Sequence, residues 1–249
     1  MRDRTTSVAF LAAIALLLAA CGSGGAETEA FCEDYIAVNT AINEGPGDDP
    51  EAWVTQVSDD LTALSTDAPS EVASAAEGVA NALLAPIAAM DEEGFFAATE
   101  SEEYVADVTV INDFVTSECD VAAVEVTAID YAFDADLDSL EAGTTAFQFA
   151  NQGEEMHEMV LMRVNDDVTA SVDEMLALPQ EEAESMVTFL GAAFAAPGSE
   201  STMFTDLGDG RYVMICFVPT GATSMEAAET ADGPPHFSHG MVREFTIGS

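Results

Sequence analysis

The sequence predicts a two-domain chain, an all-α helical bundle followed by an all-β sandwich with a helical insertion. Three observations carry this. Apolar residues recur at helical spacing up to about residue 120 and then switch to alternation. Gly- and Pro-rich breaks divide both halves into segments of ordinary length. After one short apolar run near the start, the 249-residue chain has no second long one, yet its apolar content is that of a folded protein. The expected order is a signal peptide at 1–20, a flexible tether at 21–29, the bundle at 30–120 and the sandwich at 121–249.

Arg2 and Arg4 form a short basic start, and Ala9 to Ala20 is apolar but too short to span a bilayer as a helix. The run ends Leu18-Ala19-Ala20-Cys21, followed by Gly22-Ser23-Gly24-Gly25. This resembles the lipobox of bacterial lipoproteins. The resemblance implies cleavage before Cys21, lipidation of Cys21, and a protein held on the extracytoplasmic face of the cell membrane. An ordinary secretory cleavage at the same place is the alternative.

In the first half, Phe31, Tyr35, Val38 and Ile42 mark one helix, and Trp53, Val57, Leu61 and Leu64 a second, with the Gly45-Pro46-Gly47 break between them. Ala68-Pro69-Ser70 opens a third carrying Val72, Val79, Leu83 and Ile87, which Pro86 bends or ends. Val108, Ile111 and Val115 mark a fourth. Cys32 stands at the start of the first helix and Cys119 at the end of the last. An up-down-up-down bundle brings those points to the same end, which suits a disulfide outside the cytoplasm.

In the second half, Val124 to Tyr131 and Thr145 to Phe149 alternate as strands. His157 to Val164, Arg211 to Val218 and Val242 to Ile247 are further strands. Ser171-Val172-Asp173-Glu174 is a capping box. Gln180 to Leu190 is expected to be helical, with Gly191 as its stop, and Pro197-Gly198 returns the chain to strand.

The chain holds 47 acidic residues against 5 basic ones, a formal charge of -42, and no Lys. Beyond the signal only Arg163, Arg211 and Arg243 are basic. Such a surface repels phosphate backbones and excludes nucleic acid as a partner. Hydration in a salty habitat explains the acidity, and so does docking to a partner with a basic face. Nucleophile elbows, phosphate loops and zinc-protease helices are absent from the sequence, so an enzyme is not expected.

His157, Cys216, His236 and Met241 are the candidate metal donors. His157 follows Asn151-Gln152-Gly153, Cys216 ends Gly210-Arg211-Tyr212-Val213-Met214-Ile215, and Met241 follows His236 by a few residues. Two imidazoles and a thiolate with an axial thioether are the donors of a mononuclear blue-copper site. From about Val124 to Ser249 the chain resembles the cupredoxin family, of which plastocyanin and azurin are members. The matching pieces are Asn151-x-Gly153 leading to His157, Gly210-x-Tyr212-x-x-x-Cys216, and His236 with Met241. The resemblance implies a Greek-key sandwich and a copper cofactor. It also implies His157, Cys216 and His236 as equatorial ligands, Met241 as the axial one, and electron transfer to a redox partner near the His236 loop.

Two departures stand out. Phe217 to Pro235 separate Cys216 from His236, whereas plastocyanin-like proteins leave only a few residues; lengthening that loop costs about 2 kcal/mol at ~0.6 kcal/mol per doubling, and puts the solvent shielding of the metal in question. Glu158 stands where family members often place an Asn that helps hold the thiolate. His239 is an alternative donor to His236. A Cu(I) carrier using Met156, His157, Met159, His239 and Met241 is the second functional reading, and a metal-free binding module the third. Dependence on Cys216 separates the first from the second.

Overall fold

The computed structural model describes residues 23–248; Cys21, the signal segment and Ser249 lie outside them. Helices fill the first part and two β-sheets the second. Helix α1 (Ser23–Glu44) begins earlier than expected and takes in the described part of the supposed tether. The run Ala26-Glu27-Thr28-Glu29-Ala30 contains neither Gly nor Pro to stop a helix. Helix α2 (Pro50–Asp67) starts with Pro50 in its first turn and the Asp49 carboxylate accepting from the Ala52 amide at 3.1 Å. Helix α3 (Ala73–Ala89) continues for three residues past Pro86 before a left-handed cap at Met90. Helix α4 (Glu92–Thr99), which buries no residue, was not expected; α5 (Glu102–Glu118) was.

Phe31, Tyr35, Val57, Leu61, Leu64, Val79, Leu83, Ile111 and Val115 make the apolar centre of the helices. The Tyr35 hydroxyl donates to Asn112 Oδ1 at 2.8 Å inside it. Cys32 and Cys119 form a disulfide with their Cα atoms 5.9 Å apart, closing 87 residues of chain.

The strands are β1 (Ala122–Ile129), β2 (Ala132–Asp134), β3 (Gly143–Asn151), β4 (His157–Val164), β5 (Val187–Ala195), β6 (Glu200–Leu207), β7 (Gly210–Ile215) and β8 (Val242–Ile247). They form two four-stranded sheets in the orders β2-β1-β3-β6 and β5-β4-β7-β8. The β1–β3 pair is parallel and the other pairs are antiparallel. Inward-facing Val126, Phe147, Phe149, Met159, Leu161, Tyr212 and Met214 fill the space between the sheets.

Each sheet is also covered on its outer side. Ala146 and Phe204 of the first sheet sit in the helical core, and Phe204 packs edge-on against Tyr35 at 5.7 Å. Val160, Val213 and Ile215 of the second sheet meet Val172 and Met175 of α6 (Val172–Leu176). That short helix carries the expected capping box.

The helix expected over 180–190 is corrected. Only α7 (Gln180–Glu184) is helical, and Val187–Ala195 is an edge strand paired with β4. Val187, Thr188 and Phe189 favour extended backbone, and the free edge of β4 accepts them. Gly191 is not a helix stop. It sits at a register shift in this strand with φ +147°, where a Cβ would press on the Met203 sulfur at 2.7 Å. Among the described residues, no helix is long and apolar enough to cross a membrane.

Candidate metal centre

His157, Cys216 and His236 converge although they are far apart in sequence, and their donor atoms all lie within 4.8 Å of one another. His157 is the first residue of β4 and is delivered by a pinned loop. Asn151 Nδ2 donates to the carbonyls of Glu155 and Ala195, both at 2.8 Å, while the Gly153 amide donates to Asn151 Oδ1 at 2.8 Å. Gly153 is needed because a Cβ there would run into the Asp130 carboxylate and His157 Nε2. The Asn151-x-Gly153 pattern thus shapes the loop that delivers His157.

Cys216 follows β7, and its amide donates to the Met241 carbonyl at 3.2 Å. His236 opens a 3-10 turn (His236–His239) that ends at Gly240 with φ +107°. Met241 comes next and lies in the same core cluster as Cys216. His157, Cys216, His236 and Met241 are each 0 % exposed.

The insertion between Cys216 and His236 does not open the site. Its two ends pair across Pro219 and Pro235. The Thr220 amide donates to the Pro234 carbonyl at 3.0 Å, and the His236 amide donates to the Val218 carbonyl at 2.9 Å. Helix α8 (Met225–Thr230) then folds back, and Met225, Ala227, Ala228 and Ala231 pack against the sandwich core. The excursion leaves and returns at one point, so the donor-bearing ends behave as if joined by a short loop.

The imidazoles face inward through Nδ1. His157 Nδ1 and His236 Nδ1 are 3.0 Å apart, and His236 Nδ1 is 3.4 Å from Cys216 Sγ. Each Nε2 is held by a carboxylate, His157 by Asp130 at 2.7 Å and His236 by Glu155 at 3.0 Å. Burial pushes the Asp130 carboxyl up, but the Glu154 amide, the His157 contact and the Glu155 amide outweigh it, and its pKa is lowered. The same balance lowers Glu155, where the Gly221 amide, His236 and Tyr131 oppose burial. Both carboxylates are therefore ionised at neutral pH and accept the Nε2 protons. With both imidazoles in that tautomer, two Nδ1 lone pairs would point at one another in a dry site, an arrangement that a shared cation relieves.

Cys216 is a thiol before any metal binds, because burial pushes its pKa up to about 12 while the Glu158 and Val218 amides pull the other way. The Glu158 amide donates to Cys216 Sγ at 3.4 Å. Main chain therefore contacts the sulfur at the place where a family Asn was expected to act. The Glu158 carboxylate turns to the Phe217 amide at 2.8 Å. Burial raises the Glu158 pKa, with that amide opposing. For His236, burial lowers the pKa, the Glu155 hydrogen bond opposes it, and His157 adds to the lowering.

Asp130, Glu155 and Tyr131 were not singled out in the sequence. Glu155 joins three parts of the site. It accepts from the Tyr131 hydroxyl at 3.1 Å, from the Gly221 amide at 2.6 Å, and from His236. His239 lies outside the donor cluster, exposed, with its ring stacked on Tyr131 at 4.8 Å. Met156 and Met159 belong to the sandwich core.

A metal bonded to N at about 2.0–2.1 Å and to S at ~2.3 Å places neighbouring donors roughly 3.5–4 Å apart. The observed 3.0 and 3.4 Å lie within a few tenths of an ångström to half an ångström of that spacing, and all three donor atoms lie within 4.8 Å of one another, so the group could hold one metal ion. Two imidazoles, a cysteine sulfur and a buried Met are a donor set suited to copper.

The C-terminal half thus resembles a cupredoxin in the order of its donors and in the strand-and-loop frame that carries them. No protein-family model matches the sequence, and no curated protein does. Among solved structures, the chain is similar to a dithionite-reduced auracyanin from the photosynthetic bacterium Roseiflexus castenholzii. The match is 23 % identical, spans 51 % of this chain and 98 % of that one, and has a TM-score of 0.33. Auracyanin B matches at 19 % identity over 52 % of this chain and 88 % of its own, with a TM-score of 0.30. A multi-copper oxidase from Pediococcus acidilactici matches at 10 % identity over 52 % of this chain and 26 % of its own, with a TM-score of 0.25.

Proposed function

We propose that the protein is an extracytoplasmic blue-copper protein that carries single electrons, held at the membrane by a lipid on Cys21. The observation that supports it most is the pair of inward Nδ1 atoms beside Cys216 Sγ, each imidazole fixed from behind by a carboxylate. In this reading His157, Cys216, His236 and Met241 would hold the copper, and the C-terminal part is a Greek-key domain of about residues 121–249. Copper, when bound, supplies a one-electron couple between Cu(I) and Cu(II). Asp130 and Glu155 hold the imidazoles in the tautomer that leaves Nδ1 free. The Glu158 amide stabilises negative charge on the sulfur. The complete burial of the four donors excludes water, and β4, β7 and the 3-10 turn before β8 fix them, so that little would have to move when the charge changes.

The Cu(I)-carrier reading is weaker in this light, since His239 stands apart from His157 and His236, and Met156 and Met159 are core side chains. The test is to load the chain lacking residues 1–21 with Cu(II) and to record visible and EPR spectra. An intense charge-transfer band that disappears in Cys216→Ser and in His157→Ala is expected. Copper retained without that band and without need of Cys216 would favour the carrier. Failure to bind copper would refute both readings.

A further inference from the structure

The geometry points to Tyr131 and His239 as the route by which electrons pass between the buried site and the surface, an inference that rests on the one-electron copper reading. His236 cannot serve as its own outlet. It is 0 % exposed, and its outer nitrogen Nε2 is taken by Glu155. Its ring instead meets Tyr131, with centroids 4.8 Å apart and planes tilted by 55°. Tyr131 also meets the His239 ring, again at 4.8 Å and nearly parallel at 27°. His239 is exposed and ends the 3-10 turn that His236 begins. The Tyr131 hydroxyl also donates to Glu155 at 3.1 Å. Three rings in van der Waals contact therefore run from a buried donor to solvent. Electronic coupling falls steeply with each gap through space, so a contiguous stack outcompetes a route across empty space or water.

A rival exists on another side of the site. Phe217, next to Cys216 in the chain, is 43 % exposed and packs edge-on against Phe237 at 5.5 Å. Among the described ring contacts, however, neither phenylalanine meets a donor imidazole.

One electron moves and no bond changes. The reduced site goes from Cu(I) to Cu(II), and the oxidised one-electron centre of a partner protein is reduced. Tyr131 and His239 are not themselves oxidised, and the phenol proton stays on its hydrogen bond to Glu155. The residues act by position, so a protein partner is expected to cover the His239 imidazole.

The test uses the uniqueness of that imidazole. The chain has three His, and the other two are 0 % exposed, so a pentaammineruthenium group attaches at His239 alone. In copper-loaded, labelled protein, a photoexcited soluble donor reduces Ru(III) to Ru(II). The electron then passes inward, giving Ru(III) and Cu(I), through the same coupling that outward transfer uses. Tyr131→Phe keeps the ring and is expected to keep the rate. Tyr131→Leu removes the ring and is expected to slow transfer by an order of magnitude or more, compared at matched driving force after each potential is measured. Phe217→Leu is expected to leave the rate alone. In metal-free protein, the ring-current shift of the His239 protons should survive Tyr131→Phe and vanish in Tyr131→Leu. An unchanged rate in Tyr131→Leu, an equal loss in Tyr131→Phe, or slowing by Phe217→Leu instead would each overturn the route while leaving the copper site standing. Absence of the charge-transfer band in unlabelled protein would overturn the copper reading and the route with it.

Discussion

Replacing Glu155 by Ala should weaken copper binding by close to a hundredfold. Glu155 is the acceptor behind His236 Nε2 at 3.0 Å, and the same carboxylate takes the Gly221 amide at 2.6 Å and the Tyr131 hydroxyl at 3.1 Å. Loss of a partner behind a metal-bound imidazole typically costs 10–100-fold in affinity, about 1.4–2.8 kcal/mol. Here the variant also releases the base of the insertion, because Gly221 loses its acceptor, so the upper end is expected. Glu155→Gln keeps an acceptor for the imidazole N–H but removes the charge, and should lose about tenfold. Competition against a chelator of known affinity measures both. Exchange of the Gly221 amide, followed in metal-free protein, reports the loop separately and should speed up in Glu155→Ala. Wild-type affinity and an unchanged spectrum in Glu155→Ala would show that the carboxylate does not position His236.

Removal of the disulfide by Cys32→Ala with Cys119→Ala opens a closure of 87 residues. It should destabilise the helical part by roughly 4–5 kcal/mol in denaturant unfolding, with the copper spectrum unaltered. Phe204→Ala empties a site that is 1 % exposed, where the first sheet meets the helices. A cost of about 3–5 kcal/mol is expected, and a loss under ~1 kcal/mol would mean that this contact contributes little. If the acidity serves docking, electron transfer to a basic redox protein should slow steeply as ionic strength rises. A rate independent of salt in stopped flow would leave hydration as the reason for a charge of -42.

The sequence was most legible where pattern and chemistry coincide. His157, Cys216 and His236 could be singled out because imidazole and thiol are rare in this chain, and each sits at a strand end or in a turn-bounded loop. Asp130 and Glu155 could not, since the chain has 47 acids and nothing local separates two working carboxylates from solvated ones. Strand β5 was hidden for a different reason. Its acidic, Ala-containing approach and Gly191 imitate a helix and its stop, and only pairing with β4 settles the backbone. Helix α4 left no signal because none of its residues is fully buried; only Phe95 and Ala98 press partly against the helical core. The shielding of the site depends on Pro219 meeting Pro235, a contact between residues that spacing alone does not bring together.

If the site holds copper as proposed, the two carboxylates would also set the direction of its potential. A Cu(II) ion with one thiolate carries a net single positive charge, and Cu(I) with the same thiolate is neutral. Asp130 and Glu155 lie one imidazole away, 26 % and 19 % exposed at their side chains, so water screens them only in part. Their negative charge stabilises the oxidised state more than the reduced one, and their hydrogen bonds make each imidazole a stronger donor. Both effects would lower the potential of a bound copper relative to a site whose imidazoles are held by neutral acceptors. Glu158 adds less, because burial favours its neutral form and its carboxylate is turned toward the Phe217 amide. The carboxylate that holds His236 in place is therefore also the one that most directly ties the insertion, through Gly221, to the redox balance of the metal. A partner or residue that loosened the insertion would raise the potential and weaken Cu(II) in the same step.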